Sequence, residues 1–401
     1  MPPGTQVSFE EALSRVEAVR GLRKKAPVSG LLVAPSDLSA HLTRALAFER
    51  PEQVLKGTEQ MLVGLGLTDP QFDFHSTMIA LLEENLAGLY EPRLKLMMVR
   101  QDLPEETKQI TLLHELVHAL QDQYFDLDEI VTANPDDSDR SSALSCLAEG
   151  DATSAMLDGV LPDGKTALDL PEGSIEAQFF GQAPKTPAPD IIIRSLYAPY
   201  LDGLEFVHKL RKRGGFAEVN RAFLRPPEST EQILHLEKYD AHEPPRKVAV
   251  PPPPGPQYQL VLHDIWGEQS LRLALQEWTT SEAAEQAAAG WGGDRIVSYQ
   301  KGKQLAVAWD VVMDSEAEAV ELWSTLRSSR LVKAPSAQPS AEAGQPELMC
   351  VQSGATRPLV ALARQGRHVV WASGPFDRQT GRSTCAEAEG WMQTLLANLT
   401  P

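Results

Sequence analysis

The sequence predicts an α+β protein that is mainly helical up to residue 243 and mixes strands with helices beyond residue 257. Three observations carry this prediction. Apolar residues recur at helical spacing through most of the first part, β-prone runs alternate with helical ones in the last part, and the proline-rich segment 244–257 separates the two. Hydrophobic residues make up 42% of the chain and charged residues 23%, which are ordinary globular values and exclude a disordered chain.

Residues 1–85 are predicted to form a helical N-terminal section. Helical periodicity runs through SFEEALSRVEAVRGL, SDLSAHLTRALAF and STMIALLEENLAG, and PVSGLLV is a short strand candidate. The first residues lack a basic start followed by an apolar core, so we expect no export signal and a cytoplasmic protein by default. An exported protein whose signal is absent from this sequence is the alternative.

Residues 86–243 are predicted to begin with a β-hairpin and to continue as helices. Two β-prone runs in LAGLYEPRLKLMMVR flank a Glu-Pro pair that suits a turn, which indicates a hairpin over 86–100. A helix-start pattern of Asp, Pro and Glu at 102–105 opens a helix over about 103–124, and a second helix is predicted over roughly 138–160. IIIRSLYAPYLDGLEFVHKLRKRGG and FAEVNRAFL are further helix candidates.

Residues 244–257 are predicted to form an extended polyproline linker, and residues 258–401 an α+β domain. Strand candidates YQLVLHDI, DRIVSYQ, QLAVAWDVVM, PLVALARQ and HVVWAS alternate with helix candidates EQSLRLALQEW, SEAEAVELWSTLRS and AEAEGWMQTLLANL. Residues 333–347 are expected to be an exposed loop. Three cysteines are too few for a disulfide scaffold, and the sequence leaves open whether Cys350 and Cys385 pair.

Charge and hydropathy exclude two classes of partner. The formal net charge is -18, and such an acidic surface repels phosphate backbones, so no nucleic-acid partner is expected. No apolar run approaches the roughly eighteen residues that a membrane-spanning helix needs, so no transmembrane segment is expected.

The segment TLLHELVHALQDQ, residues 111–123, places His114 and His118 one helical turn apart, with Glu115 directly after the first histidine. Helical residues at this spacing have Cβ atoms about 5–6 Å apart, so the two imidazoles can hold one metal ion between them. Glu115 is rotated by about 100° from His114, which puts its carboxylate beside the ion. That is the position of a general base acting on a metal-bound water.

A catalytic zinc site uses three protein ligands, so a third ligand must come from another segment. We predict Glu149, which lies 31 residues after His118 in the helical segment CLAEGDAT, where small residues would let two helices approach closely. Asp151 is about 200° round the helix from Glu149 and is not expected to bind the same ion. Thr153 and Asp122, each one turn beyond a ligand, are the predicted supporting residues.

Three alternatives remain open at this point. The motif helix could be an ordinary amphipathic helix that carries two histidines. The metal could instead brace two helices in a non-catalytic structural or protein-interaction module, in which case four protein ligands would close the site. The first 80 or so residues, which precede the motif, could also cover the cleft as an autoinhibitory segment.

HELVHALQDQYFDL, followed by LAEGDAT, resembles the gluzincin type of zinc metallopeptidase, in particular a group of bacterial proteins with HELxHALQDQ and a downstream EGxA segment. Softer matches at GLYEPR, PPESTEQILHLEKY and GWGGDR extend the resemblance over much of the chain. One departure is Leu236, which stands where the pattern would place a proline.

This resemblance implies a mainly helical zincin-like metallopeptidase domain with a small β-hairpin or edge sheet, followed by the α+β C-terminal domain. It implies a zinc ion held by His114, His118 and Glu149. It also implies that Glu115 passes a proton from the attacking water to the leaving amine, with a peptide or protein as substrate.

In such a fold the long helix forms the floor of a cleft and an edge strand lies above it. LKLMMVR is the candidate edge strand, to which an extended substrate would add by main-chain hydrogen bonds; a core strand is the alternative. Gluzincins take an oxyanion donor from a downstream tyrosine or histidine, and His235 is the predicted donor here. Its alternative role is to close the STEQIL helix. Tyr197 and Tyr200 qualify by location and are expected to pack in the core.

Overall fold

The computed structural model describes residues 5–6, 9–49, 52–128, 136–171, 185–331, 346–352 and 357–399. Within these ranges the protein mixes helices and strands, so the predicted α+β class is confirmed. Two sheets organise the structure, a four-stranded sheet near the N-terminus and a six-stranded sheet in the last third. Over the same described ranges, no helix has both the length and the apolar character to cross a membrane.

The four-stranded sheet combines residues from both sides of position 85. Its strands are β1 (Thr5–Gln6), β2 (Ser29–Val33), β3 (Gly88–Glu91) and β4 (Leu96–Arg100), in the order β1-β2-β4-β3. β2 is parallel to β4, and β3 pairs antiparallel with β4, which confirms the predicted hairpin and the early strand candidate. The predicted boundary at residue 85 cuts through this sheet, so residues 1–85 are not a separate helical unit.

The edge strand of this sheet is not the one expected from the sequence. LKLMMVR supplies β4, which lies between β2 and β3 and is hydrogen-bonded on both sides. Its residues from Leu96 to Val99 are all buried, as is typical of an interior strand covered on both faces. The edge strand next to β4 is β3, because the hairpin turns back along the outer side of β4; β1 forms the opposite edge.

The helices of the first 85 residues divide between the two sheets. They are α1 (Glu10–Arg20), α2 (Pro35–Glu49), α3 (Glu52–Gly64) and α4 (Phe74–Asn85). α1 contributes to a core shared with the first sheet and the motif helix. α3 packs on the six-stranded sheet, where a Cβ added at Gly57 would overlap Leu262 and one at Gly64 would overlap Val307.

The centre of the molecule is helical, as predicted. Its helices are α5 (Glu105–Phe125), α6 (Ser138–Val160), α7 (Asp190–Gly214), α8 (Phe216–Leu224), α9 (Thr230–Leu234) and α10 (Leu236–Ala241). α5 and α6 agree with the predicted spans within two residues. The helix start differs in detail, because α5 is preceded by Pro104 without a side-chain cap while Asp102 pairs with Arg100 at 2.8 Å.

α6 and α7 cross at two glycines. A Cβ added at Gly150 would lie 2.1 Å from the carbonyl of Gly203, and one at Gly203 would lie 2.0 Å from the carbonyl oxygen of Cys146. No side chain fits there, so only glycine lets the two backbones touch. The small residues beside Glu149 were expected to let the motif helix and α6 approach closely; at Gly150 the helix that makes the close approach is α7 instead.

The last third of the chain is built on an antiparallel sheet. Its strands are β5 (Gln259–Asp264), β6 (Trp291–Lys301), β7 (Gln304–Met313), β8 (Glu347–Gln352), β9 (Leu359–Gln365) and β10 (His368–Asp377), in the order β5-β6-β7-β10-β9-β8. Its helices are α11 (Gly267–Gln276), α12 (Ser281–Ala288), α13 (Glu316–Ser328) and α14 (Cys385–Leu396). β8 and α12 were not predicted, and the predicted loop at 333–347 lies almost entirely outside the described residues.

Both faces of the six-stranded sheet are covered. One face packs against α3, α11 and α13 around Trp309 and Trp371, and the other packs against α14 around Trp391. A disulfide between Cys350 and Cys385 joins β8 to the first residue of α14, which answers the pairing question that the sequence left open.

Candidate metal centre

The two motif histidines lie on α5 with their rings facing each other. His114 and His118 are one turn apart, and their ring centroids are 4.7 Å apart with an interplanar angle of 82°. His118 is buried, while His114 is partly exposed. This places the edge of one imidazole towards the other, with both Nε2 atoms directed to the same point.

Glu149 reaches the same point from α6. Its Oε2 lies 3.0 Å from His114 Nε2 and 3.4 Å from His118 Nε2, and the two Nε2 atoms are 3.1 Å apart. Ligand atoms held about 2.0–2.2 Å from a zinc-like ion at tetrahedral angles stand roughly 3.3 Å from one another. The three atoms therefore have the mutual spacing of three ligands of one tetrahedral cation, and the predicted triad comes together.

His118 and Glu149 each stabilise the ionised form of the other. Burial by itself would lower the pKa of His118, but the neighbouring Glu149 carboxylate outweighs it and raises that pKa to about 9. Burial would likewise raise the pKa of Glu149, but the two histidines outweigh it and hold that pKa well below its usual range. The carboxylate is thus ionised, which is the state a metal ligand requires.

Glu115 lies between the motif helix and the edge strand. A Cβ added at Gly88 in β3 would lie 3.3 Å from Glu115 Cγ and 2.6 Å from Thr111 Cγ2, so the strand passes directly over this part of α5. The backbone N–H of Tyr90 donates to the Glu115 carboxylate. Burial raises the pKa of Glu115 above its usual value.

Tyr200 is the aromatic residue that α7 brings to the cluster. Its ring centroid lies 6.0 Å from that of His114. The negative charge of Glu149 and burial raise the pKa of Tyr200 well above its usual value, and a hydrogen bond with Glu149 adds to this shift. The hydroxyl therefore stays protonated and remains a hydrogen-bond donor beside the three ligands. Tyr200 was expected to pack in the core, so its place at the site is a correction.

His235, the predicted oxyanion donor, has other partners. Its Nε2 lies 2.8 Å from Glu268 Oε1, and its Nδ1 lies 3.9 Å from Glu237 Oε1. The hydrogen bond with Glu268 raises the pKa of His235. It caps the end of α9, in keeping with its alternative role. Among the described residues, its contacts join α9 to α11 and none involves the three ligands.

Gln121, rather than the predicted Asp122, supports a ligand directly. His118 Nδ1 lies 2.8 Å from Gln121 Oε1, so an Nδ1–H donates to the amide oxygen and Nε2 is the ring atom that faces the cluster. Asp122 turns instead to the hairpin, where it accepts from the Tyr90 hydroxyl at 2.6 Å and pairs with Lys95 at 2.8 Å. The supporting residue is therefore one position away from the predicted one along α5. The contacts that Gln121 and Asp122 make with neighbouring elements determine which of them reaches His118.

The predictions for Asp151 and Thr153, which follow Glu149 on α6, have separate outcomes. Asp151 faces away from the three ligands, as expected, and accepts a hydrogen bond from Gln121 Nε2 at 2.8 Å. Thr153 is buried, and among the described residues its hydroxyl has no hydrogen-bond partner. A supporting role for Thr153 therefore stays a prediction.

A cavity of about 340 Å³ lies between α6 and α7, with further walls from α3, α4 and α11. Its lining includes Ser145, one helical turn before Glu149, and Pro199, next to Tyr200, so the cavity comes close to the cluster in sequence but is lined by none of its three side chains. α6 contributes serine hydroxyls, and the remaining walls are mainly apolar, with His75 and Asp264 among the polar exceptions.

One comparison with known proteins gives a match. Residues 258–382 match a family described as a domain of unknown function (DUF8575). That stretch covers the strands of the six-stranded sheet and includes none of the residues of the metal centre. No curated protein and no solved structure matches the chain.

Proposed function

We propose that this protein is a zinc-dependent metallopeptidase whose metal ligands are His114, His118 and Glu149. The observation that carries the proposal is the convergence of two Nε2 atoms and one carboxylate oxygen at mutual distances of 3.0–3.4 Å. The gluzincin-like motifs at the same residues support it, as does the position of the motif helix beneath β3 of the small sheet.

Zinc is the metal that this ligand set suits best. Two imidazole nitrogens and one carboxylate oxygen at tetrahedral spacing are typical of catalytic zinc sites, which keep the fourth position open. Among the histidine, cysteine, aspartate and glutamate side chains of the described residues, only these three offer ligand atoms to this cluster, and this argues against a structural site closed by a fourth residue of these types. When bound, zinc supplies the Lewis acidity that polarises a scissile carbonyl and makes water acidic enough to react near neutral pH.

The proton transfers fall to Glu115. Its carboxylate is buried beside the ligands, and its raised pKa lets it accept a proton from the attacking water. The same group then returns that proton to the leaving amine. Tyr200 is the oxyanion donor in this proposal, because its protonated hydroxyl lies next to Glu149 and donors of this kind stabilise developing negative charge.

An extended peptide is the substrate that suits the cleft. Among the described residues, no strand pairs with the outer side of β3, which lies above Glu115, so the backbone groups there, apart from the Tyr90 N–H, could bind a substrate strand by main-chain hydrogen bonds. The cavity of about 340 Å³ between α6 and α7 could take an apolar side chain of that peptide.

Substitution of the proposed base tests the function. Glu115→Gln is expected to retain zinc at the wild-type stoichiometry and to lower peptide hydrolysis on the order of 10²–10⁴-fold. Metal content is measured by mass spectrometry, and cleavage is measured with a synthetic peptide library, with and without a chelator. Glu106→Gln, which removes an exposed carboxylate from the first turn of the same helix, is the matched control. Normal turnover by Glu115→Gln would exclude the proposal.

A further inference from the structure

We infer that Arg20, Asp151 and Gln121 form a positioning chain for the metal ligand His118, which makes the N-terminal helix α1 part of the metal centre. The inference rests on the proposed metal site and extends it to three residues that are neither the proposed ligands nor the proposed base. None of the three touches the reacting atoms, so they are positioning residues.

The chain is continuous and buried. His118 Nδ1 donates to Gln121 Oε1 at 2.8 Å, Gln121 Nε2 donates to Asp151 Oδ2 at 2.8 Å, and Arg20 Nε donates to the same Oδ2 at 2.9 Å. The side chains of Arg20 and Asp151 are both fully buried, at 0% exposure. The chain joins residues from α1, α5 and α6.

The amide of Gln121 has only one orientation that satisfies all its neighbours. Its nitrogen donates to the carbonyl oxygen of Ala148 at 3.0 Å as well as to Asp151, and both partners are acceptors. The amide oxygen must therefore face His118, where it accepts the Nδ1–H. This fixes the tautomer of His118 and directs its Nε2 lone pair towards Glu149 and His114.

Stability alone does not explain the buried ion pair between Arg20 and Asp151 at the far end of this chain. A buried Arg–Asp pair is costly to desolvate and is often no more stable than apolar residues of the same volume. Here Arg20 is further fixed by a hydrogen bond to Asn220 at 2.8 Å and by stacking on Phe216, 4.6 Å from the ring centroid. The arrangement holds Asp151 still, and Asp151 in turn holds Gln121.

A neighbouring ion pair provides a matched comparison. Arg211 also pairs with an aspartate of α6, Asp158 at 2.6 Å, and it stacks on the same Phe216 ring at 4.1 Å. This second pair is also largely buried, but Asp158 has no hydrogen bond to Gln121 or to a ligand among the described contacts. Loss of either arginine should disturb folding to a similar degree, whereas only Arg20 acts on the metal.

The test measures zinc affinity, and it does not depend on hydrolysis. Gln121→Met and Arg20→Gln are expected to weaken zinc binding by about 10–100-fold, the usual effect of losing such a partner. Both should also shift the visible absorption bands of the cobalt-substituted protein, because the His118 ring is no longer held. Arg20→Lys should recover part of the affinity, since it keeps the positive charge beside Asp151. Arg211→Gln should leave the affinity and the cobalt spectrum as in the wild type.

Two results would overturn the inference. One is wild-type zinc affinity with an unchanged cobalt spectrum in Gln121→Met. The other is an equal loss of affinity in Arg20→Gln and Arg211→Gln, since that would reflect general destabilisation. Should the wild type bind zinc but cleave no peptide, the proposed function fails while this positioning role stands. If Arg20→Gln does not fold, Gln121→Met and Arg20→Lys decide the question.

Discussion

In the proposed reaction, the oxyanion donor depends on which residue lies beside the three clustered side chains. Tyr200 lies beside His114 and carries a protonated hydroxyl, whereas His235 is held by Glu268. A phenol in this place could donate a hydrogen bond without competing for a metal ion, because its raised pKa prevents ionisation. We therefore propose Tyr200 for this role in place of the predicted His235.

Removal of that hydroxyl should slow the reaction selectively. Tyr200→Phe is expected to lower kcat by about 10²–10³-fold, as other losses of an oxyanion donor do, with a smaller effect on KM. Steady-state kinetics on a peptide substrate provides the measurement. Tyr197→Phe removes a hydroxyl three residues earlier on α7, which points to Asn85 at 3.4 Å, and should retain wild-type kinetics. Equal kcat values for Tyr200→Phe and the wild type would refute the assignment.

At the scale of single residues, the sequence predicts what helical geometry dictates and little beyond it. His114, Glu115 and His118 follow from a spacing of four on one helix. Gln121 and Asp122 lie three and four positions after His118, and both are buried. Which of them reaches His118 depends on where α6 and the hairpin lie, and no local pattern contains that information.

The α6–α7 crossing is the contact that sets Glu149 and Tyr200 against each other. Gly150 follows Glu149 directly, and its Cα meets the backbone of Gly203, three residues after Tyr200. A methyl group at this point must push the two helices apart. Because α6 carries the third ligand and α7 carries the tyrosine, the separation would widen the site itself.

Gly150→Ala should therefore reduce both stability and metal affinity. We expect the free energy of unfolding to fall by about 1–3 kcal/mol or more, the usual cost of overpacking a rigid contact. Gly159→Ala, on the same helix, places its Cβ 3.4 Å from Leu113 and should stabilise the protein by roughly 0.4–1 kcal/mol. Chemical denaturation and zinc titration of the two variants provide the comparison. Wild-type values for Gly150→Ala would show that the crossing can relax.

The periodicity of the sequence predicts the helices and strands well, but it does not predict which of them pair or pack with each other. The pattern of LKLMMVR correctly indicates a strand, yet an apolar run of this kind occurs in edge and interior strands alike. Only the parallel pairing with β2, 67 residues earlier, makes it interior. In the same way, the apolar face of α3 is evident from the sequence, whereas its packing on the distant six-stranded sheet is not.

At the scale of the whole molecule, the disulfide stabilises the C-terminal part independently of the metal. Cys350 and Cys385 are 35 residues apart, and closing a loop of this length restricts the unfolded chain. The double variant Cys350→Ser/Cys385→Ser should lose about 2–4 kcal/mol of unfolding free energy. Thermal unfolding with and without a reductant should show a shift in the wild type and none in the double variant. Zinc affinity should stay unchanged, since none of the three proposed ligands lies in this region; a coupled loss would contradict that independence.

The junction between α6 and the six-stranded sheet should make stability depend on pH. Asp264, at the end of β5, accepts hydrogen bonds from the backbone N–H of Ser138 at 2.8 Å and from its hydroxyl at 2.6 Å. Burial, with the nearby charge of Asp294, nevertheless raises the pKa of Asp264 to about 7. The folded state thus holds this proton more tightly than the unfolded state, whose pKa is near 3.8. The contribution of Asp264 is therefore fully present below pH 3.8 and is lost as pH rises towards about 7.

Asp264→Asn should remove this dependence while it keeps the hydrogen bonds. The amide oxygen can accept from the two backbone N–H groups that now share Oδ1, those of Ser138 and Ile265, and the amide nitrogen can donate to the Ser138 hydroxyl. Unfolding free energies measured by denaturant titration between pH 4 and pH 8 should show a stability gain in the variant that grows with pH, relative to the wild type. Asp163→Asn, which removes an exposed carboxyl group, should run parallel to the wild type. Parallel profiles for Asp264→Asn as well would mean that Asp264 is ionised throughout, with its charge stabilised by Ser138 and Ile265 despite burial.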